Sequence, residues 1–463
     1  MDFDDYSYCG GTPFDSQRIT TEMCVFNRRA YVLSEMGVGK TRSVLWAYDY
    51  LRQEGFVHRL VVVAPLSTLT CVWENECFEN FHHLKAVVLY GSREKRLRRL
   101  AQPADIYIIN YDGVEIIAQD LFQRTDIDAL AVDELAAYRN SRNARWKCLA
   151  PIASRCAYAW GITGVPTPNG PTDAFGQSKL LTPNLSGFSF KKFRDATMRQ
   201  VSTFKWVERP TAVAEVQRIM QPAVRFARDE CFDLPPTTYS TREVVLSTEA
   251  AKHYATMQKE LTAQIRNREI TAANAGVKLS KLLQISLGFA YAAEGVGVYC
   301  GGDARIKEVC EVIQNASGKV IVLIPFTYLT ELVGAVFKRL SIGNPKFSTA
   351  MVHGGTTHAA RNIIFSDFQK TPTPRVLAAH PGVLSHGLTL TAANTVVWMG
   401  PPHSLETYLQ ANARVTRAGQ GQNTHIIHIS GSPVESYVYK RLQRKEALQD
   451  TILDMFEQQT ETV

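Results

Sequence analysis

No stretch of these 463 residues is apolar for long enough to span a bilayer. The first ten residues, MDFDDYSYCG, are acidic and contain no hydrophobic segment, so no secretory leader is expected. The nine cysteines are scattered. They form no CxxC pair, and no histidine cluster has zinc spacing, which argues against a metal-thiolate site. An odd number of cysteines with no framework fits a reducing cytosol. Short-period repeats, low-complexity tracts and a long tail are also missing. One local absence is more pointed: no Asp or Glu lies between Glu406 and Glu435. Within that stretch stand Arg414 and Arg417, three residues apart, which on a helix would put both guanidiniums on one face. Two neighbouring cations with no local carboxylate call for an anion from elsewhere.

What is present describes a soluble globular chain. Hydrophobic residues make up 45% and charged residues 21%, enough for two or three domains with sizeable cores. A formal charge of +7 and a pI near 8.8 permit an anionic partner such as nucleic acid without requiring one. Short apolar runs alternate with helical patterns. RAYVLSEM, RLVVVAP, ADIYIIN and DALAVDEL read as buried parallel strands, and GKVIVLIPF, STAMVHGG, RVLAAH, NTVVWMG and THIIHIS repeat the pattern after about residue 240. This predicts an α/β fold of two halves, residues 1–235 and 236–463, each a mostly parallel sheet flanked by helices. CFDLPPTTYS (Cys231–Ser240), with paired prolines, is the linker candidate.

The strand RAYVLSEM runs into Gly37, Val38, Gly39, Lys40 and Thr41 and then into a helical segment. That is the setting of a phosphate-binding loop. The glycines let backbone N–H groups turn toward phosphates, and the helix N-terminus adds its dipole. Lys40 would reach the β and γ phosphates and Thr41 would ligate Mg²⁺. The first glycine of the usual GxxxxGKT pattern is Ser34 here. DALAVDEL ends in Asp133 and Glu134. An Asp at such a strand end holds the Mg²⁺ shell, and the adjacent Glu polarises the attacking water. The anion awaited by Arg414 and Arg417 is then the γ-phosphate of ATP, whose developing charge they would neutralise from the second half, with the nucleotide in the cleft between the halves.

With these parts in order, the sequence resembles the Swi/Snf-like branch of superfamily 2 helicases, the double-stranded DNA translocases. SEMGVGKT is similar to the family's motif I, in which the first glycine is dispensable. PFDSQ resembles the adenine-reading segment, with Gln17 as its glutamine. VVVAPLSTLTCVWENE, IINYDG, DELAAYRN and GITGVPTPN resemble motif Ia, the segment after it, the DEAH-type box and motif III. LLQISLGF and VHGGTT resemble second-lobe segments. SHGLTLTAANTVVWMGPPHSLETYLQANARVTRAGQ resembles motifs V and VI, ending in the RxxRxGQ form. Two residues depart from the pattern. Ala136 stands where the family has the His of DEAH (with Leu135 for its Ala), which leaves open how the nucleotide site couples to motif III. Thr389 replaces a usual Asn.

The resemblance implies two tandem RecA-like domains and an ATP-driven motor that grips DNA phosphates. Candidate grip residues are Ser67, Thr68, Asn110, Tyr111, His353, Gly354 and Thr391, each of which could instead satisfy its own backbone. KKFRD and FKWVERP, basic and aromatic, could touch DNA or cover a core. The implied partner is duplex or branched DNA without sequence preference, and the cofactors are ATP and Mg²⁺. The chain would be a compact phage- or virus-type member, monomeric, cytoplasmic (host cytoplasm or nucleoid) and without membrane association. Replication or recombination proteins are candidate partners. Two alternatives stand beside this: a strand-separating DNA or RNA helicase, for which no wedge hairpin is evident, and a DNA-binding scaffold with a decayed ATPase.

Overall fold

The computed structural model describes residues 3, 5–185, 187, 189–202, 205–231, 234–266, 280–291, 297–384, 389–402, 404–417 and 419–442. They form two compact units, one within Met1–Asp233 and one within Leu234–Glu446.

The first unit opens with helix α1 (Asp15–Phe26), strand β1 (Arg29–Val32) and helix α2 (Lys40–Gln53). There follow β2 (Arg59–Ala64), β3 (Ala86–Leu89), β4 (Ile106–Asn110), β5 (Ile127–Asp133) and β6 (Tyr158–Ile162). Helices α3 (Asp173–Leu181) and α4 (Phe190–Thr197) lead to an antiparallel hairpin, β7 (Met198–Ser202) and β8 (Lys205–Glu208). The short β9 (Ala223–Val224) closes the main sheet, whose order is β3-β4-β2-β5-β6-β1-β9. Every pairing in it is parallel.

Helices cover both faces of this sheet, so its strands are buried on both sides. Val61, Val63, Tyr107, Ile109, Leu130 and Val132 enter one core, while the alternate residues Leu60, Val62, Ile106, Ile108, Ala129 and Ala131 enter the other. β6, whose core is Ala-Trp-Gly, has no run of β-branched residues and passes unread in the sequence. Gly161 is required there, since a Cβ would lie 2.4 Å from Leu135 and 2.6 Å from Leu181 side-chain atoms. β6 separates β5 from β1, so the ends of three strands that carry candidate residues emerge side by side.

The second unit begins with β10 (Thr237–Glu243), so Thr237–Ser240 of the expected linker belong to a strand. An antiparallel pair, β11 (Phe289–Tyr291) and β12 (Gly297–Tyr299), precedes β13 (Lys319–Leu323), β14 (Thr349–Val352), β15 (Val376–Ala379) and β16 (Ala393–Trp398). Helix α5 (Leu405–Asn412) and β17 (Thr424–Ser430) complete it. The order is β10-β17-β16-β13-β15-β14, again parallel throughout. Each unit is a parallel sheet with a core on either face, the α/β architecture expected. A buried ion pair, Arg305–Glu435 at 2.8 Å, fastens the second unit where its strands end. Arg305 also donates to the carbonyls of Met399, Ile429 and Ser286, which satisfies most of a charge that burial would otherwise penalise. No helix among the described residues is long and apolar enough to cross a membrane.

Candidate functional site

The first unit gathers its predicted residues at the ends of β1, β5 and β6. Gly37 and Gly39 have φ of 91° and 82°, a left-handed conformation that glycine adopts without the Cβ clash of other residues. Gly39 is also the N-cap of α2, so the loop delivers its N–H groups at a helix N-terminus. Gln17 of α1 is buried, and its amide nitrogen would lie 2.0 Å from any Cβ at Gly39. Its amide oxygen accepts the Phe14 N–H at 3.0 Å. The glutamine and the glycine loop are therefore in contact. Val38 is buried, and Lys40 and Thr41 are half-buried. Lys40 Nζ donates to the Ser34 and Glu35 carbonyls at 2.6 and 3.1 Å, which curls the loop around its ammonium. Ser34 is used rather than merely tolerated: its hydroxyl accepts the Phe226 N–H at 3.0 Å, bracing the loop against the end of β9.

The acidic pair closes the other side. Asp133 Oδ2 accepts the Trp73 indole N–H at 3.0 Å, and Oδ1 accepts the Glu134 N–H at 3.1 Å. Glu134 stands at φ 48°, ψ 58° and, among the described residues, is alone as a non-glycine with positive φ. Such strain persists where surrounding structure enforces it and clusters at functional sites. Thr163, just past β6, donates to Glu134 Oε2 at 3.4 Å. A Cβ at the next residue, Gly164, would lie 3.4 Å from Lys40 Nζ. An unbroken chain of neighbours thus runs from Gln17 through Gly39, Lys40 and Gly164–Thr163 to Glu134 and Asp133. Ala136 is buried in a 3₁₀ turn (Leu135–Tyr138), and the Glu134–Thr163 bond joins the acidic strand to the segment after β6. Trp73 and Thr163 were not singled out in the sequence. Their signal there was only that each sits in a motif-like segment.

Thr41 and Asp133 offer a hydroxyl and a carboxylate. These hard oxygen donors suit Mg²⁺. A different trio forms where the sequence suggested no ligand cluster. Cys9, Asp49 and His83 lie within 4.8 Å of one another. Asp49 already accepts from Tyr6 and Gln53 at 2.8 and 2.9 Å and pairs with His83 at 2.7 Å, an arrangement that ties the N-terminal segment to α2.

The proposed DNA-grip residues fall into two groups. Ser67 is half-buried, Gly354 exposed, and His353 and Thr391 half-buried on loops. Thr68 is buried and donates to the Pro65 carbonyl at 3.0 Å. Asn110 is buried too, and its side chain accepts from Arg96 at 3.1 Å. The Tyr111 hydroxyl donates to the Asp133 carbonyl at 2.7 Å, so it braces the acidic strand. Thr391 accepts from Gln369 at 3.0 Å. His353 braces its own turn by accepting the Gly355 N–H, and burial, with His353 close by, lowers the pKa of His380.

The arginine pair departs from the helical expectation. α5 ends at Asn412, so Arg414 and Arg417 lie in the turns that follow. Asn412 takes the Trp398 indole N–H on its side chain and the Thr416 hydroxyl on its carbonyl, which helps the chain turn there. Arg414 is buried, with Nε donating to the Leu384 carbonyl at 3.0 Å, and Arg417 is half-buried. Gln420 pins the segment by donating to the carbonyls of Ala393 and Val415 at 2.8 and 3.1 Å. Of the motif V stretch, residues 385–388 lie outside the described residues.

Residues 27–290 match the model of the SNF2-related domain, and residues 304–419 match that of the helicase conserved C-terminal domain. The chain is 27% identical to protein p41 of Acyrthosiphon pisum secondary endosymbiont phage 1, over 96% of this chain and 98% of that one. It is 24% identical to chromodomain-helicase-DNA-binding protein 1-like of Mus musculus, over 91% of this chain and 47% of that one. It is also 24% identical to the DNA annealing helicase and endonuclease ZRANB3 of Homo sapiens, over 92% and 39%. The chain therefore spans about half the length, or less, of these two animal relatives. Among solved structures, the SWI2/SNF2 ATPase core of Sulfolobus solfataricus in complex with dsDNA aligns with a TM-score of 0.45 at 21% identity, over 98% of this chain and 96% of that one.

Proposed function

Because the chain belongs to the SNF2-related domain family, we propose that it is an ATP-driven translocase on duplex or branched DNA. The observation that most supports this is the continuous set of contacts from Gln17 and the glycine loop through Lys40 and Thr163 to Glu134 and Asp133. In this reading Gln17 recognises the adenine, and the N–H groups of residues 37–41 and Lys40 bind the phosphates. Glu134 orients the attacking water, and its hydroxyl partner Thr163 reports nucleotide state to the rest of the unit. Thr41 and Asp133 would hold Mg²⁺, which when bound neutralises charge on the β and γ phosphates. Arg414 and Arg417 are assigned to the charge that develops on the transferred phosphoryl group. The domain boundary proposed near residue 235 would separate the unit carrying the glycine loop from the unit carrying the arginine pair.

Grip on DNA falls to Ser67, His353, Gly354 and Thr391, while the buried Thr68 and Asn110 and the braced Tyr111 shape the loops that present them. Contacts to phosphates carry no sequence information, so affinity should depend on salt and little on base sequence. The chain would act as a cytoplasmic monomer, with replication or recombination proteins as partners. The human relative's designation makes strand annealing an activity to assay beside translocation. A second reading, strand separation, draws on the β7–β8 hairpin, an element of the kind a wedge requires.

The test is ATP turnover with duplex DNA, single-stranded DNA and RNA of equal nucleotide content, for wild type and Lys40→Ala. Duplex should stimulate most, and the folded Lys40→Ala protein should lose turnover. Wild-type turnover in that variant would remove the phosphate-loop assignment. Stimulation by RNA alone, or displacement of a strand from a fork, would favour the second reading.

A further inference from the structure

The basic, aromatic pieces KKFRD and FKWVERP meet in the structure. The first lies on α4 and the second on β8, and the Arg194 guanidinium sits over the Trp206 ring at 4.2 Å from its centroid. The element is firmly seated. Phe193 is buried against Phe175 of α3 at 5.7 Å, Thr197 is buried, and the Arg209 N–H donates to the Thr197 carbonyl at 2.9 Å. The Ser189 hydroxyl caps α4. Packing therefore uses Phe193, Thr197 and the Arg194–Trp206 stack, and leaves the other cations outside.

Those cations are concentrated. Residues 190–209 hold six Lys or Arg (191, 192, 194, 199, 205 and 209) against two acids (195 and 208), a net +4 of the whole chain's +7. Lys191, Lys192, Arg199 and Arg209 are exposed. Among the described residues none of these four pairs with a carboxylate, and the ion pair within the segment is Arg194–Asp195 at 2.8 Å. Cations on α4 (Lys191, Lys192), on β7 (Arg199) and just past β8 (Arg209, whose Nε donates to the Met198 carbonyl at 3.1 Å) make a positive surface. Arg194 covers one face of Trp206, and Phe190, exposed at the start of α4, stands edge-on to Phe175. What such a surface fits is a polyanion held chiefly by charge.

We propose that α4 and the β7–β8 hairpin form a second DNA-contact surface on the first unit that takes the phosphate backbone through Lys191, Lys192, Arg199 and Arg209. The proposal rests on the DNA-translocase reading and adds to it a contact that depends on no nucleotide. Lys191→Ala/Lys192→Ala/Arg199→Ala tests it by fluorescence anisotropy on a labelled duplex without nucleotide, with salt varied from about 50 to 200 mM. Each lost phosphate contact lowers the slope of log K against log salt by about 1, so the triple variant should lose about 3 and bind roughly tenfold or more weakly at the low-salt end. Its melting temperature and DNA-free ATP turnover should match wild type.

Wild-type slope and affinity in the variant would overturn the proposal while leaving the translocase reading intact. A wild-type protein that binds no duplex would bring down both. Unchanged binding with lost strand displacement would also overturn it, in favour of a wedge. Should the triple variant melt early, Arg199→Gln carries the test alone, with an expected slope change of about 1.

Discussion

Glu134 offers a test in which backbone strain and chemistry should separate. Its φ of 48° and ψ of 58° place an L-residue in the left-handed helical region, where the Cβ meets the following carbonyl at a cost of about 1–2 kcal/mol. Glu134→Ala and Glu134→Gly both delete the carboxylate and its bond to Thr163. Their difference therefore isolates the backbone. Alanine keeps the Cβ clash and glycine loses it, while glycine's freer unfolded chain returns roughly 0.4–1 kcal/mol of that gain. The net expectation is that Glu134→Gly is more stable than Glu134→Ala by about 1 kcal/mol. For a unit of this size that is a difference of about 2–4 °C in melting temperature. Both variants should lose ATP turnover by roughly a hundredfold or more, because neither can orient water. The assay is thermal melting of the two variants beside steady-state ATP turnover with duplex DNA. Equal melting temperatures, or a more stable alanine variant, would refute the strained backbone. Wild-type turnover in either would refute the catalytic role.

Arg417→Ala should hydrolyse bound ATP about a thousandfold more slowly in single-turnover assays with duplex, with ATP affinity little changed, and Arg417→Lys should not rescue it. Arg414→Ala should add a loss of stability, because Arg414 is buried against the Leu384 carbonyl. His428, buried between Tyr408 and Tyr439, has a pKa lowered by burial to about 4. Its unfolded form takes up a proton near pH 6.5 while the native form does not, so stability should fall as pH drops from about 6.5 toward 4, by roughly 3 kcal/mol at most. His428→Gln should remove that share of the dependence in acid melts.

The strand pattern was largely legible because both faces of each sheet are covered, which turns central strands into unbroken apolar runs such as Leu60–Val63 and Ile106–Ile109. β6 escaped because its Ala-Trp-Gly core lacks β-branched residues, and β3 (Ala86–Leu89) was not read either. The glycine loop and the Asp133–Glu134 pair were visible because their chemistry is local in sequence. The β7–β8 hairpin was not read, since RQVS and KWVE are short and polar.

Periodicity and neighbours along the chain were enough to place the two α/β halves, the glycine loop and the acidic pair at a strand end. Which of those residues touch came from packing. It set Gln17 on Gly39, Trp73 on Asp133 and Thr163 on Glu134, pairs separated by tens of residues. It turned Arg414 and Arg417 off their helix, buried Thr68 and Asn110, and stacked Arg194 on Trp206 to turn two unranked fragments into one charged surface. Spacing along a chain constrains neighbours within a helix turn or a strand. Contacts between distant segments follow from how whole faces bury together, and that is settled only when the sheet and its helices have packed.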